Sequence, residues 1–304
     1  MLTDTEPQAA ARARVAQAIT ATTTAWSKGA SLAEIRAGFE ALLAGPQPAR
    51  AEPVTIAGMT GTLSRPAQAA GGAIILFCHG GGFQIGSVRS HASLMSRLAA
   101  ASGVPVLGFD YRLAPEHRFP AAAEDCFSAY RALLARGHDA RQIILAGDSA
   151  GGSLALGIAL QARDQGLPLP AGIVLISPWL DLKLRGESYL TRAGLDIFSK
   201  PDQLRTMART YLGRSGDPAH PLATPLDAPL GGLPPLLIHT GDCDITLDDS
   251  ALLASRAGAA GVASTLKVWP EMYHHFQVFA KLPEAQQSLD EIGGFIRSRL
   301  AGVI

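Results

Sequence analysis

The chain has 304 residues, of which 47% are hydrophobic and 17% are charged, and its formal net charge at pH 7 is zero. Without a basic excess, the sequence gives no support for binding to nucleic acid or to an anionic membrane surface. Its three cysteines are too few for a disulfide framework and are typical of reduced thiols in a cytoplasmic protein. No cysteine or histidine spacing indicates a metal site, so we expect neither a metal nor a cofactor.

The first 50 residues are expected to form two helices ahead of the first strand. Asp4 and Glu6 stand where a signal peptide would be apolar, and no run in the chain reaches the length of a membrane span. The second helix begins with the capping-box pattern Ser31–Glu34. Its periodicity places one apolar face at Leu32, Ile35, Phe39 and Leu42.

Eight strands are predicted in the rest of the chain. From the third strand onward they alternate with helical patterns, which is typical of a mostly parallel sheet with helices on both faces. The predicted strands are about Val54–Ile56, Thr60–Leu63, Ala73–Phe77, Val104–Phe109, Gln142–Ala146, Gly172–Ile176, Leu236–Thr240 and Thr265–Trp269.

Two glycine-rich motifs follow predicted strands. The segment Gly147-Asp148-Ser149-Ala150-Gly151-Gly152 has the G-x-S-x-G pattern of a nucleophile elbow, in which a serine occupies a strained turn between a strand and a helix. The segment His79-Gly80-Gly81-Gly82 is the type of loop that completes the oxyanion hole of such an elbow. The backbone N–H of Ala150 would lie near the helix N-terminus, where developing negative charge is stabilised. Ser149 is therefore the candidate nucleophile.

An acid and then a base should follow this serine along the chain. The segment after the seventh predicted strand offers four carboxylates, and two adjacent histidines follow the eighth strand in a loop position suited to a base. These residues leave the choice open within each set. The candidates are Asp242, Asp244, Asp248 and Asp249 for the acid, and His274 and His275 for the base.

From about Gly72 to its C-terminus the chain resembles bacterial members of the hormone-sensitive lipase family of α/β-hydrolases. The motifs that carry the resemblance are 79–82, Asp110–His117, 147–152, Ser177–Trp179, Gly232–Pro235 and His274. The resemblance implies that Asp244 is the acid, because Asp244–Asp248 matches the family's Asp-Pro-Leu-x-Asp segment except for its proline. It implies that His274 is the base. His275 replaces the glycine of the family's His-Gly-Phe and is interpreted as a packing or pocket-rim residue.

The resemblance also implies the function and the domain organisation. We expect an α/β-hydrolase fold divided into N-terminal cap helices at 1–50, core at 51–178, a cap insertion at 179–225 and core at 226–304. A cap closes the pocket, so the expected activity is that of a serine carboxylesterase on small or medium acyl esters. Lactone hydrolysis, amide or arylformamide hydrolysis and a non-catalytic ligand receptor are the alternatives. Family members often dimerise through the last strand, here Thr265–Trp269, so a homodimer is expected.

The side chains expected around the reaction follow from these assignments. Backbone amides of Gly81, Gly82 and Ala150 would bind the oxyanion. Asp148 is expected to support the elbow through a local hydrogen bond, and His91 to be a helix cap or a surface residue. Candidates for lining an apolar substrate pocket are Phe83, Ile85, Trp179, Phe198 and Tyr211.

Overall fold

The protein is described by a computed structural model that covers residues 8–69 and 71–301. Asp4 and Glu6 therefore lie outside the described residues, as do the outer ends of the predicted ranges 1–50 and 226–304. None of the helices in the described part of the chain combines the length and the apolarity that a membrane span needs.

All eight predicted strands are confirmed to within a few residues, and they form one sheet in the order β1-β2-β4-β3-β5-β6-β7-β8. Among the described residues, β2 runs antiparallel to both of its neighbours, β1 and β4, and the other five strand pairs are parallel. The predicted α/β architecture with a mostly parallel sheet is therefore correct. The strands are β1 Arg50–Ile56, β2 Met59–Arg65, β3 Ile74–Cys78, β4 Val106–Phe109, β5 Ile143–Asp148, β6 Gly172–Ile176, β7 Leu236–Gly241 and β8 Ser264–Trp269.

The central strands are buried on both faces, which explains their continuous apolar sequences. In β5 every residue is buried. Ile143 and Leu145 face one hydrophobic core, whereas Ile144 and Ala146 face the other. Each core is closed by helices, since α4, α5 and α8 pack on the first face and α3 and α9 on the second.

The remaining helices lie outside this sandwich. Helices α1 and α2 precede the sheet, and α6 and α7 lie between β6 and β7. We call α1, α2 and the segment 179–225 the covering layer, because its side chains wall the cavity at the carboxyl ends of the strands. The helices are α1 Gln8–Ser27, α2 Leu32–Leu42, α3 Ala92–Ser102, α4 Ala121–Ala135, α5 Ala150–Asp164, α6 Ser188–Thr191, α7 Pro201–Leu212, α8 Leu247–Ala259 and α9 Pro283–Leu300.

The predicted start of α2 is confirmed. The Ser31 hydroxyl accepts a hydrogen bond from the Glu34 N–H at 3.3 Å, and the Glu34 carboxylate accepts one from the Ser31 N–H at 2.7 Å. This reciprocal pair satisfies two N–H groups that the first helical turn leaves without partners. Further along α2, Phe39 is buried and lines the cavity beside Ser149.

Candidate active site

Ser149 forms the turn between β5 and α5. Its backbone has φ 51° and ψ −122°, a strained conformation for a residue with a side chain. The start of α5 lies so close to the end of the neighbouring strand β3 that a Cβ on Gly151 would collide with the Cys78 carbonyl. The glycine at this position is thus required by packing, and the turn holds the serine hydroxyl at the carboxyl end of the central strand.

Ser149, His274 and Asp244 form a hydrogen-bonded triad. The Ser149 hydroxyl donates to His274 Nε2 at 2.7 Å, and His274 Nδ1 donates to Asp244 Oδ1 at 3.0 Å. The three residues come from loops after β5, β8 and β7. They meet because the carboxyl ends of parallel strands lie at one edge of the sheet.

The environment of Asp244 keeps it ionised. Its Oδ1 also accepts hydrogen bonds from the N–H and the hydroxyl of Thr246, at 2.8 and 2.9 Å, and its Oδ2 accepts one from the Thr240 hydroxyl at 3.0 Å. Burial opposes the charge, but attraction to His274 and hydrogen bonds lower the pKa of Asp244 to about 2. Burial likewise opposes the charge of His274, yet Asp244 raises the pKa of that imidazole above its ordinary value.

The other three candidate carboxylates make different contacts. Asp242 accepts a hydrogen bond from the Glu271 N–H, and Asp248 accepts one from the Ser188 N–H. Asp249 accepts hydrogen bonds from the Leu180 N–H and the Tyr189 hydroxyl. These carboxylates hold loops of the protein in place, and the structure places Asp244 against His274.

The glycine-rich loop after β3 lies beside the serine. Gly81 and Gly82 line the same cavity as Ser149, and Ala150 is the first residue of α5. Gly81 has φ 116°, and a Cβ there would collide with the Ile85 carbonyl. The loop is also tied to the covering layer, because Arg36 of α2 donates from Nε to the Gln84 carbonyl at 2.9 Å. Backbone N–H groups of this loop and of the α5 N-terminus can therefore approach a reacting carbonyl.

Asp148 connects the elbow with three other segments. Its Oδ1 accepts a hydrogen bond from the Gly80 N–H at 2.9 Å, and its Oδ2 accepts hydrogen bonds from His275 Nδ1 at 2.8 Å and His91 Nε2 at 3.2 Å. His91 occupies the N-cap position of α3, as predicted, but its side chain makes no cap hydrogen bond and is completely buried, because it pairs with Asp148. Burial opposes the charge of Asp148, but the two histidines hold its pKa well below the usual range.

His275 has a left-handed backbone, with φ 38° and ψ 41°, at the position where the family sequence has glycine. The side chain is buried, and burial lowers the pKa of His275 to about 4. Its ring meets Phe198 edge to face at 4.6 Å and lines the cavity beside His274. The structure thus places His275 at the rim of the pocket, with its Nδ1 engaged by Asp148 rather than by the triad.

Comparison with known proteins matches this geometry. Residues 75–278 match the family described as having the alpha/beta hydrolase fold. An acetyl-hydrolase of Streptomyces hygroscopicus is 43% identical over 246 residues, which cover 81% of this chain and 82% of that relative. An esterase of Acinetobacter venetianus is 38% identical over 247 residues, 81% of each protein. A crystal structure of an esterase from the bacterial hormone-sensitive lipase family has a TM-score of 0.91 and 40% identity, and covers 95% of this chain and 97% of that one.

The chain belongs to the bacterial hormone-sensitive lipase family of α/β-hydrolases.

In this family member the cavity beside the nucleophile is small, about 20 Å³. Of the five predicted pocket residues, Ile85 and Phe198 line it. Phe83, Trp179 and Tyr211 do not, because they pack on one another: the Phe83 and Tyr211 rings stack at 3.9 Å and Trp179 lies 5.8 Å from Phe83. The pocket residues that the sequence analysis missed come mainly from the covering layer, namely Trp26, Phe39, Ser199, Gln203, Leu204 and Met207.

One further missed residue lies against the triad. Asp196 of the covering layer is completely buried, and its carboxylate lies close to both Asp244 and His274. Nothing local in the sequence marks it, because the groups it approaches are separated from it by about fifty residues or more along the chain.

Proposed function

We propose that this chain is a serine carboxylic-ester hydrolase that cleaves small to medium acyl esters through an acyl-enzyme on Ser149. The observation that carries the proposal is the 2.7 Å hydrogen bond from the Ser149 hydroxyl to His274 Nε2, with Asp244 on the opposite ring nitrogen. A serine so paired is activated by its neighbouring base. The relatives named acetyl-hydrolase, esterase and ethyl acetate hydrolase support an ester as the small-molecule substrate.

In the proposed reaction Ser149 attacks the ester carbonyl while His274 takes its proton and then passes it to the leaving alcohol. Asp244 holds the imidazole with its N–H on Nδ1 and stabilises the imidazolium. The N–H groups of Gly81, Gly82 and Ala150 stabilise the oxyanion. Water then attacks the acyl-enzyme with His274 again as the base, which returns the free serine.

The substrate size follows from two spaces around Ser149. The cavity of about 20 Å³ beside Ser149 is walled by the covering layer and leaves little space at the reacting carbonyl, which favours short acyl groups. A wider groove of about 1000 Å³ runs between α1, α2 and the turn at residues 278–281. Trp26 borders both spaces, so its indole separates the short pocket from the groove. We infer that residues 8–50 and 179–225, which are the described parts of the two predicted cap segments, together form the cap that sets the size limit.

The proposal is tested with p-nitrophenyl esters from acetate to palmitate. Turnover should peak at short chains in the wild type and vanish in Ser149→Ala, whereas Ser298→Ala, an exposed serine of α9, should behave as the wild type. Folded protein that turns over no ester but is labelled by a fluorophosphonate would point to lactones or activated amides. Absence of labelling would point to a ligand receptor and refute the proposal.

Assembly and location are further parts of the proposal. The strand β8 lies at one edge of the sheet, and its Val268 is 38% exposed. Because an open edge strand can pair with a second copy, we propose a homodimer through β8, to be checked by light scattering. A monomer at micromolar concentration would contradict this.

Cys78, Cys126 and Cys243 are free thiols, which supports a reducing, cytoplasmic location.

A further inference from the structure

Asp196 joins the covering layer to the loop that carries Asp244. It lies between α6 and α7, and its Oδ1 accepts hydrogen bonds from the N–H groups of Phe198 at 2.9 Å and Ser199 at 3.0 Å. Its Oδ2 accepts a hydrogen bond from the N–H of Ile245, the residue after Asp244, at 3.1 Å. A carboxylate of the covering layer is therefore bonded directly to the acid loop of the triad.

The same carboxylate lies close to the triad itself. One oxygen of Asp196, one oxygen of Asp244 and one ring nitrogen of His274 all lie within 4.8 Å of one another. The hydrogen bonds of this group do not fit a metal ion, since both ring nitrogens of His274 are engaged and Asp244 already accepts bonds from Thr240 and Thr246. The arrangement fits an imidazole that faces two carboxylates.

Two buried carboxylates at this distance are costly, because each disfavours the charge of the other. Burial and the charge of Asp244 raise the pKa of Asp196 to about 6. Above that pH Asp196 is ionised, and after Asp244 it is the next charge that opposes burial in raising the pKa of His274. The group that gains from a second negative charge is the imidazolium that forms when His274 takes the serine proton.

We propose that Asp196 is a positioning residue for ester hydrolysis that acts through His274: the covering layer supplies a second carboxylate that stabilises the imidazolium and holds the Asp244 loop through Ile245. This inference rests on the proposed function of the triad. It adds no covalent step, because the proton still passes from Ser149 to His274 and then to the leaving alcohol. If the covering layer moved away from the sheet, the Asp196 carboxylate would move away from His274. Full activity therefore requires the covering layer to be packed against the sheet.

The pH dependence is simple because few groups around this site change charge. Burial raises the pKa of Cys243 to about 11 and that of Tyr273 far above its ordinary value. The neutral ring of His275 and the ionised Asp148 do not titrate near neutral pH. Of the carboxylates that face His274, Asp196 is therefore the one whose pKa is raised into the neutral range. The groups that face His274 or Asp196 are Asp244, Asp148, His275, Tyr273, Cys243 and Arg192.

The test compares kcat/KM against pH on p-nitrophenyl butyrate for the wild type, Asp196→Asn and Asp202→Asn. Asp202 is exposed in the first turn of α7, so its variant removes the same charge from the same segment. The acid limb of the wild type and of Asp202→Asn should be steeper than one ionisation, because Asp196 and His274 both titrate. In Asp196→Asn the limb should follow one ionisation, with an apparent pKa lower by about 1 and a plateau lower by roughly tenfold.

Two results would overturn the inference. One is an acid limb of Asp196→Asn that coincides with the wild type, and the other is a wild-type limb that follows a single ionisation. The slope of the wild-type limb is measured without any variant, so this second test remains available even if Asp196→Asn does not fold. NMR titration of His274 in Ser149→Ala, with and without Asp196→Asn, gives the same comparison without turnover. If the wild type turns over no ester at all, the proposed function fails instead, and the two failures are distinguished.

Discussion

Replacing Asp244 by asparagine tests the role of its charge in the triad, because three donors already fix the position of Asp244 Oδ1. Asp244 Oδ1 accepts hydrogen bonds from His274 Nδ1, from the Thr246 N–H and from the Thr246 hydroxyl. These donors require the amide oxygen of the asparagine to occupy that position. The amide nitrogen then faces the Thr240 hydroxyl, which can accept as well as donate. His274 therefore keeps its proton on Nδ1 and its free electron pair toward Ser149.

What Asp244→Asn removes is the attraction between the carboxylate charge and the imidazolium. For two charges about 4 Å apart at an effective dielectric constant of about 20, this attraction is about 4 kcal/mol. Such a loss of transition-state stabilisation corresponds to roughly a thousandfold decrease in kcat. A variant that turned the imidazole to the wrong tautomer would lose more, on the order of ten-thousandfold.

The assay is steady-state hydrolysis of p-nitrophenyl acetate at pH 8, with the folded fraction counted by thermal unfolding. Asp248→Asn is the matched control, since it removes a charge four residues away whose carboxylate bonds to the Ser188 N–H outside the triad. It should stay within about twofold of the wild type, as expected for a change away from the reacting groups. The reasoning is refuted if Asp244→Asn retains more than about a tenth of the wild-type kcat, which would be too small a loss for a charge at this distance. Equal losses in both variants would refute it too.

Three other substitutions, with Gly194→Ala as a control, test the pocket wall and the packing. Trp26→Ala should join the short pocket to the groove and raise the ratio of octanoate to acetate turnover by about tenfold, whereas an unchanged ratio would show that the indole does not separate them. Phe83→Ala should lower the free energy of unfolding by about 3 kcal/mol without altering that ratio, because Phe83 packs in the core. Gly151→Ala should cost about 3 kcal/mol through its clash with the Cys78 carbonyl. Gly194→Ala, which meets nothing within 4 Å, should be nearly neutral in the same denaturant titration.

The sequence predicted those parts of the site whose chemistry is local. The elbow around Ser149 is determined by a strand, a tight turn and a helix within about twenty residues, so the glycine pattern alone located it. The strands were found because burial on both faces demands continuous apolar runs. Asp244 and His274 needed the family resemblance, since four carboxylates and two histidines fit their loops equally well.

The residues that the sequence did not reveal depend on long-range pairing. His91 pairs with a carboxylate 57 residues away, and Asp196 bonds to an amide 49 residues away, so neither shows a local signal. The expectation that Phe83, Trp179 and Tyr211 line the pocket failed for another reason: the sequence does not distinguish an aromatic residue of the core from one of the pocket. Phe83 and Phe198 were predicted to have the same role, and the packing of the covering layer separated them.

The hydrogen bonds of Asp148 set a rule for exchanging loops between relatives. One carboxylate receives the Gly80 amide, His91 and His275, so the oxyanion loop, the start of α3 and the histidine loop share a single anchor. Grafting a His-Gly-Phe loop into this chain would remove the hydrogen bond from His275 and leave the buried Asp148 carboxylate with one partner fewer. Glycine would nevertheless suit the left-handed backbone at position 275 better. These three segments are therefore exchangeable only as a set, whereas the pocket wall of the covering layer is held by a different carboxylate, Asp196, through the N–H groups of Phe198 and Ser199.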